Sequence, residues 1–164
     1  MQNKITVDEN KKADFSMNIG FPVQLYITDL SLKPGGCNNW HWHDEIQFCR
    51  VLEGELEITV QDRRYKLVTE EGIFINVGLM HKTCSLSVTP GKYLCLNIHP
   101  DILKFFTGNI LERKYVEPYL GKPEFDAVIL RDSVIWQKEI LQYAGEIRNI
   151  WKKQLWSYEL EIYV

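Results

Sequence analysis

The chain has 164 residues, of which 45% are hydrophobic, 12% aromatic and 25% charged, proportions expected of one domain long enough to bury a core. Its 19 basic residues are scattered among 22 acidic ones for a net charge of −3, with no basic run longer than a pair such as Arg63-Arg64, which argues against the chain gripping nucleic acid by itself. No apolar run nears the roughly 18 residues of a membrane span, residues 1–14 lack an apolar signal core, and Cys37, Cys49, Cys84 and Cys95 contain no C-x-x-C pair, so the expectation is a cytoplasmic protein without a membrane partner, its thiols reduced and serving as small core residues.

Residues 1–20 read as a polar leader. From about Phe21 to His99 strand follows strand. Phe21 to Leu32 is rich in β-branched and aromatic residues and ends at the turn Pro34-Gly35-Gly36. Leu56, Ile58 and Val60 alternate with Glu55, Glu57 and Thr59, the two-residue period of a strand with one wet face. Gln61-Asp62-Arg63-Arg64 is the tip of a hairpin that returns over Tyr65 to Val68. Ile73-Phe74-Ile75 is short and wholly apolar, as expected of a strand buried on both faces. Thr89-Pro90-Gly91-Lys92 is a further turn before a strand from Tyr93 to Ile98. Short strands between turns predict an antiparallel sandwich or barrel.

After Pro100 the period changes. Asp101 is placed to cap a short helix from Ile102 to Phe106, and Asp132 or Ser133 to open a long one. Within the long helix Trp136, Ile140, Ala144, Ile147 and Trp151 recur at spacings of three and four, joined by Tyr143. Gly145 interrupts it and leaves room for another helix to come close. Leu155 to Val164 is an apolar ending without Gly, Pro or a basic stop signal; either it packs tightly or, the preferred reading, a helix is cut short in a chain that naturally continues.

Three of the four histidines share one neighbourhood of motif. Gly35 is followed by five residues, His41-Trp42-His43, three residues, Gln47, six residues and Gly54; farther on, Gly72-Ile73-Phe74-Ile75-Asn76 runs to His81. If residues 41–47 form one strand, His41, His43, Glu45 and Gln47 share a face, and His81 brings a third imidazole. Such a set either binds Zn, Fe, Mn or Ni through His41, His43, Gln47 and His81 or lines a ligand cavity with polar groups; the neutral amide of Gln47 favours the second. His99, beside Pro100, reads as structural.

The spacing G-x5-H-x-H-x3-E-x6-G resembles the first signature of the cupin superfamily, with Gln47 where that signature has Glu. The stretch from Gly72 to His81 resembles the second, without its usual Pro. More specifically, His41-Trp42-His43-Asp44-Glu45-Ile46-Gln47-Phe48, Val51-Leu52-Glu53-Gly54-Glu55-Leu56 and Gly72 to Asn76 are similar to the amino-terminal sensor of AraC-family transcription regulators. So are His99-Pro100-Asp101 and Lys114-Tyr115-Val116-Glu117-Pro118-Tyr119. The resemblance implies a mainly β fold, a double-stranded β-helix (cupin or jelly-roll barrel) over 21–106, followed by C-terminal α-helices. Residues 107–164 would be connector and dimerisation helices, preceding a helix-turn-helix DNA-binding domain that this chain lacks.

The implied function is that of an effector-sensing and dimerisation module. A small molecule, a sugar or another metabolite, would meet Trp40, His41, His43, Glu45, Gln47 and His81. A homodimer would form through Trp136, Ile140, Tyr143, Ala144, Ile147 and Trp151, and DNA would be met only through the absent domain. The rival is a metal-dependent cupin dioxygenase or isomerase using His41, His43 and His81. No Ser-His-Asp or Cys-His arrangement, phosphate-binding glycine loop or nucleotide fingerprint is evident, so the expectation is that the chain is not an enzyme.

Overall fold

Alternating apolar residues become strands wherever the chain has two faces to satisfy. A computed structural model describes residues 5–15, 22–104 and 108–152. The expected apolar terminus from Leu155 to Val164 and the expected helix end at Phe106 lie outside the described residues. The strands are β1 (Thr6–Val7), β2 (Ala13–Asp14), β3 (Val23–Asp29), β4 (Cys37–His41), β5 (Ile46–Glu53), β6 (Glu55–Val60), β7 (Arg63–Val68), β8 (Gly72–Ile75), β9 (His81–Ser85), β10 (Lys92–Ile98) and β11 (Ala127–Leu130), and one helix follows, α1 (Ile135–Lys152).

Two antiparallel sheets face each other. One has the order β11-β8-β5-β10-β3 and the other β4-β9-β6-β7; β1 and β2 make a separate ribbon. Cys49, Val51, Ile73, Ile75, Tyr93 and Cys95 from the first sheet meet Leu56, Ile58, Val60 and Leu67 from the second in one buried cluster. This is the mainly β barrel that the sequence predicts; of the C-terminal α-helices expected after it, the described residues hold one, α1. The turn between β5 and β6 uses Gly54 at φ +79°, where a Cβ would also lie 3.1 Å from the Gly91 Cα.

The alternate residues of the five-stranded sheet point outward and need cover. α1 supplies it: Ile147 joins Ile46, Leu94, Leu96 and Ile98 in a second buried cluster, with Ile150 and Trp151 packed on it. Leu141 and Ala144 are buried on the same face. The helix comes so near that a Cβ on Gly72 would lie 2.7 Å from Leu141 Cδ2 and 2.5 Å from the Cys49 carbonyl oxygen. Arg50 spans this contact, donating from Nη1 to the Leu141 carbonyl at 3.1 Å and pairing through Nη2 with Glu70.

Several expectations change. Among the described residues, the neighbour that approaches Gly145 is Arg50 of the chain's own barrel: a Cβ on Gly145 would lie 2.9 Å from Arg50 Nη1. Ala144 and Ile147, expected at a dimer interface, are used inside the subunit, whereas Trp136 and Tyr143 are about half exposed. β11 adds an edge strand from a stretch that reads as connector. The turn after β10 is a 3-10 turn, Pro100–Leu103, and its N-cap is His99, whose Nδ1 accepts from the Asp101 amide at 3.4 Å. α1 opens at Ile135, two residues beyond Ser133.

The cysteines divide into two kinds. Cys49 and Cys95 are buried free thiols, directly opposed on β5 and β10. Cys37 and Cys84 form a disulfide, against the expectation of four reduced thiols. They are opposed on β4 and β9, with Cα atoms 4.2 Å apart; that juxtaposition comes from the register, which their sequence separation of 47 does not reveal. Among the described residues, no helix is long and apolar enough to cross a membrane.

Candidate functional site

His41 is the last residue of β4 and lies directly opposite His81, the first residue of β9. The chain then turns a corner and enters the other sheet at Ile46. His41, His43 and Gln47 therefore do not share one strand, and shared parity is not what assembles the site. The corner does so: the rings of His41 and His81 are 4.3 Å apart, those of His43 and His81 5.0 Å, and those of His41 and His43 6.0 Å.

Local backbone orients each ring. Nδ1 of His41 lies 2.7 Å from the Asn39 carbonyl oxygen, Nδ1 of His43 3.0 Å from that of Glu45, and Nδ1 of His81 2.8 Å from that of Leu79. A carbonyl oxygen only accepts, so each Nδ1 is assigned the proton and each Nε2 a bare lone pair. Nε2 of His43 and Nε2 of His81 are buried without a hydrogen-bond partner. One ring nitrogen from each of the three residues lies within 4.8 Å of the others.

Burial disfavours the charged imidazolium. It lowers the pKa of His41, pushes that of His43 down to about 4, and holds that of His81 well below its ordinary value. The neighbouring imidazoles add to the effect at His43 and His81. The site thus offers three neutral, preoriented nitrogen donors in a dry setting. That donor set suits a divalent transition metal such as zinc, and the carbonyls behind the rings fix tautomer and aim.

The remaining predicted residues take other positions. Gln47 is buried on β5, where its Nε2 donates to Asn97 Oδ1 at 3.0 Å and to the Tyr26 hydroxyl at 3.3 Å. Trp40 lies on β4 with Lys82 Nζ 5.2 Å from its ring centre. Glu45 sits beside His43, its Oε2 3.6 Å from the carbonyl-bound Nδ1.

Phe15 is a contributor that sequence reading misses. It is 2% exposed, meets His43 edge-on at 5.1 Å and stacks on Tyr26 at 5.8 Å. Gln24 Nε2 donates to its carbonyl at 2.8 Å, and backbone bonds between Lys11, Ala13 and Trp42 tie the β1–β2 ribbon to the histidine corner. Two cavities flank Phe15. One, of about 410 Å³, is lined by Tyr26, Thr28, Lys33, Asn38, Trp40 and His41 among others. The other, of about 720 Å³, is lined by Asp8, Lys12, Asp14, Asp44, Glu45 and His99 among others. Asn97 is also missed, although a lone amide between Leu96 and Ile98 is a signal that something polar faces it.

Comparison with known proteins places these features. Residues 29–97 match the cupin domain family. Over 157 residues the chain is 28% identical to a Bacillus subtilis (strain 168) protein named uncharacterized HTH-type transcriptional regulator YdeC, covering 95% of this chain and 53% of that protein. The chain thus spans about half the length of the curated relative it matches. Among solved structures, a cupin-2 domain containing protein from Shewanella frigidimarina NCIMB 400 matches at 24% identity and a TM-score of 0.40, over 47% of this chain and 71% of that one. Oxalate decarboxylase of Bacillus subtilis, a protein with Mn(II) centres, matches at 20% identity and a TM-score of 0.42, over 49% and 22%. The family match, over residues 29–97, lies on the barrel strands and includes all three clustered histidines.

Proposed function

We propose that this chain is the effector-sensing and dimerisation part of an AraC-type transcription regulator, and that His41, His43 and His81 hold a divalent metal in its effector site. The observation that carries the reading is the gathering of one ring nitrogen from each of the three histidines within 4.8 Å, with His43 Nε2 and His81 Nε2 buried and unpartnered. Lone pairs left unpaired in a dry interior cost free energy, and a cation removes that cost. A bound ion supplies a Lewis-acidic anchor for a ligand donor atom.

The chain's own residues do the rest. The cavity of about 410 Å³ reaches His41 from outside and admits a small molecule. Phe15 lines both cavities and touches His43. A ligand that competes with it for the mouth shifts the β1–β2 ribbon, and occupancy passes to whatever that ribbon or α1 contacts. The exposed Ile135, Trp136 and Tyr143 on α1 support a homodimer contact there. The relative's name supports a DNA-reading role for the whole protein, assigned to sequence outside this match. A cytoplasmic setting goes with that role.

A second reading, a metal-dependent cupin dioxygenase or isomerase, draws on the same three donors. Metal analysis on tag-free protein, paired with thermal shifts, tests both. The proposal expects about one equivalent of Zn(II), Mn(II), Fe(II) or Ni(II), lost in His81→Ala with far-UV circular dichroism unchanged. It also expects His43→Ala to fold and to lose the thermal shift that a metabolite gives the parent. Unfolding of both variants, or no metal uptake by the parent, would overturn it; turnover of a metabolite by Fe(II)-loaded protein would favour the enzyme.

A further inference from the structure

We infer that the ligand taken by the mouth cavity is a small organic anion whose carboxylate completes the trihistidine centre, an inference that rests on the metal reading above. The charge balance leads to it. Three imidazoles protonated on Nδ1 are neutral, and Gln47, at the fourth motif position, is neutral too. Among the described residues the cluster that can hold an ion contains no carboxylate. Glu45 approaches the carbonyl-bound Nδ1 of His43 and lines the other cavity. A dication here keeps its whole charge in a buried site, where uncompensated charge is costly. An anionic ligand from outside removes the imbalance, and a neutral sugar does not.

The two cavities beside Phe15 are of opposite character. Among the described residues the larger is lined by Asp8, Asp14, Asp44 and Glu45 against the single lysine Lys12. Among the described residues the mouth cavity has no acidic residue in its lining, and the one lysine there is Lys33. No carboxylate comes within 4.0 Å of Lys33 among the described residues, and it lines the same cavity as His41. Beside it the Asn38 amide and the Thr28 and Tyr26 hydroxyls offer hydrogen bonds to the remainder of a ligand. Lys33 thus stands as the outer contact for an anion whose inner end is on the metal.

The test uses the 164-residue chain loaded with Co(II), whose visible bands report changes of ligand. Malonate and acetate are titrated in, with L-arabinose and glycerol as neutral probes. The inference expects saturable band shifts with the carboxylates only. Lys33→Gln should weaken malonate about fivefold while leaving Co(II) affinity unchanged. Gln47→Glu, which returns a carboxylate to the fourth motif position, should keep Co(II) and weaken both anions. Co(II) binding with no response to carboxylates, a response to arabinose, or equal malonate affinity in Lys33→Gln would overturn the inference and leave the metal reading standing. Failure of the chain to bind Co(II) would overturn both.

Discussion

His41, His43 and His81 each rest Nδ1 on a carbonyl two residues away in sequence, so short backbone segments, not distant partners, fix the three tautomers. This has a consequence for acid stability. In the unfolded chain a histidine takes up its proton near pH 6.5, whereas folded His43 resists until about pH 4. Between those values the unfolded state binds more protons, so acid favours unfolding. Urea titrations of metal-free protein should show stability falling as pH drops from about 6.5 to about 4, by up to about 3 kcal/mol for His43 alone. His43→Gln should flatten that fall; an unchanged slope would mean that the imidazoles are not held neutral. At this scale the sequence is informative where chemistry sets spacing. The interval from Gly35 to Gly54 marks His41 and His43, and Gly72 leads to His81. Phe15 is not legible, because its place depends on where a polar leader folds back. Gln47 is legible as a motif position, yet its bonds to Asn97 and Tyr26 follow from cross-strand register.

At the scale of elements, the β4–β9 pair has the Cys37–Cys84 disulfide at one end and the His41–His81 pair at the other. A bridge across a sequence separation of 47 restrains the unfolded chain; on the chain-entropy account, reducing it should cost up to about 4 kcal/mol. Denaturation with and without dithiothreitol measures this, with Cys49 and Cys95 as buried thiols that reduction leaves alone. Helix α1 makes a second test. Gly72→Ala forces a Cβ against Leu141 and the Cys49 carbonyl, and should destabilise by about 1–3 kcal/mol; a neutral result would mean that α1 does not lie this close to β8. Strands with clear alternation, such as β6, are legible in sequence. The four-residue β11 is not, because a short apolar stretch acquires its role only when the edge of β8 is there to receive it. The apolar stripe on α1 is legible as well, but periodicity shows that a face is covered and not by what; here Ala144 and Ile147 meet the chain's own sheet.

For the whole molecule, two sheets, a covering helix and a ribbon at the mouth make a container whose open side is edged by the residues proposed to sense. The proposed dimer contact uses the part of α1 that the barrel does not cover. Light scattering after gel filtration should give a dimer, and a Trp136→Glu, Tyr143→Glu double variant a monomer with unchanged circular dichroism. A dimeric double variant would place the contact elsewhere. The central claim is that imidazoles from a corner and a neighbouring strand form one metal centre. X-ray absorption spectroscopy of the Zn(II)-loaded chain tests it most directly. The account predicts three imidazole nitrogens at about 2.0–2.1 Å and no sulfur in the first shell. Sulfur scattering, or a spectrum without imidazole features, would contradict it.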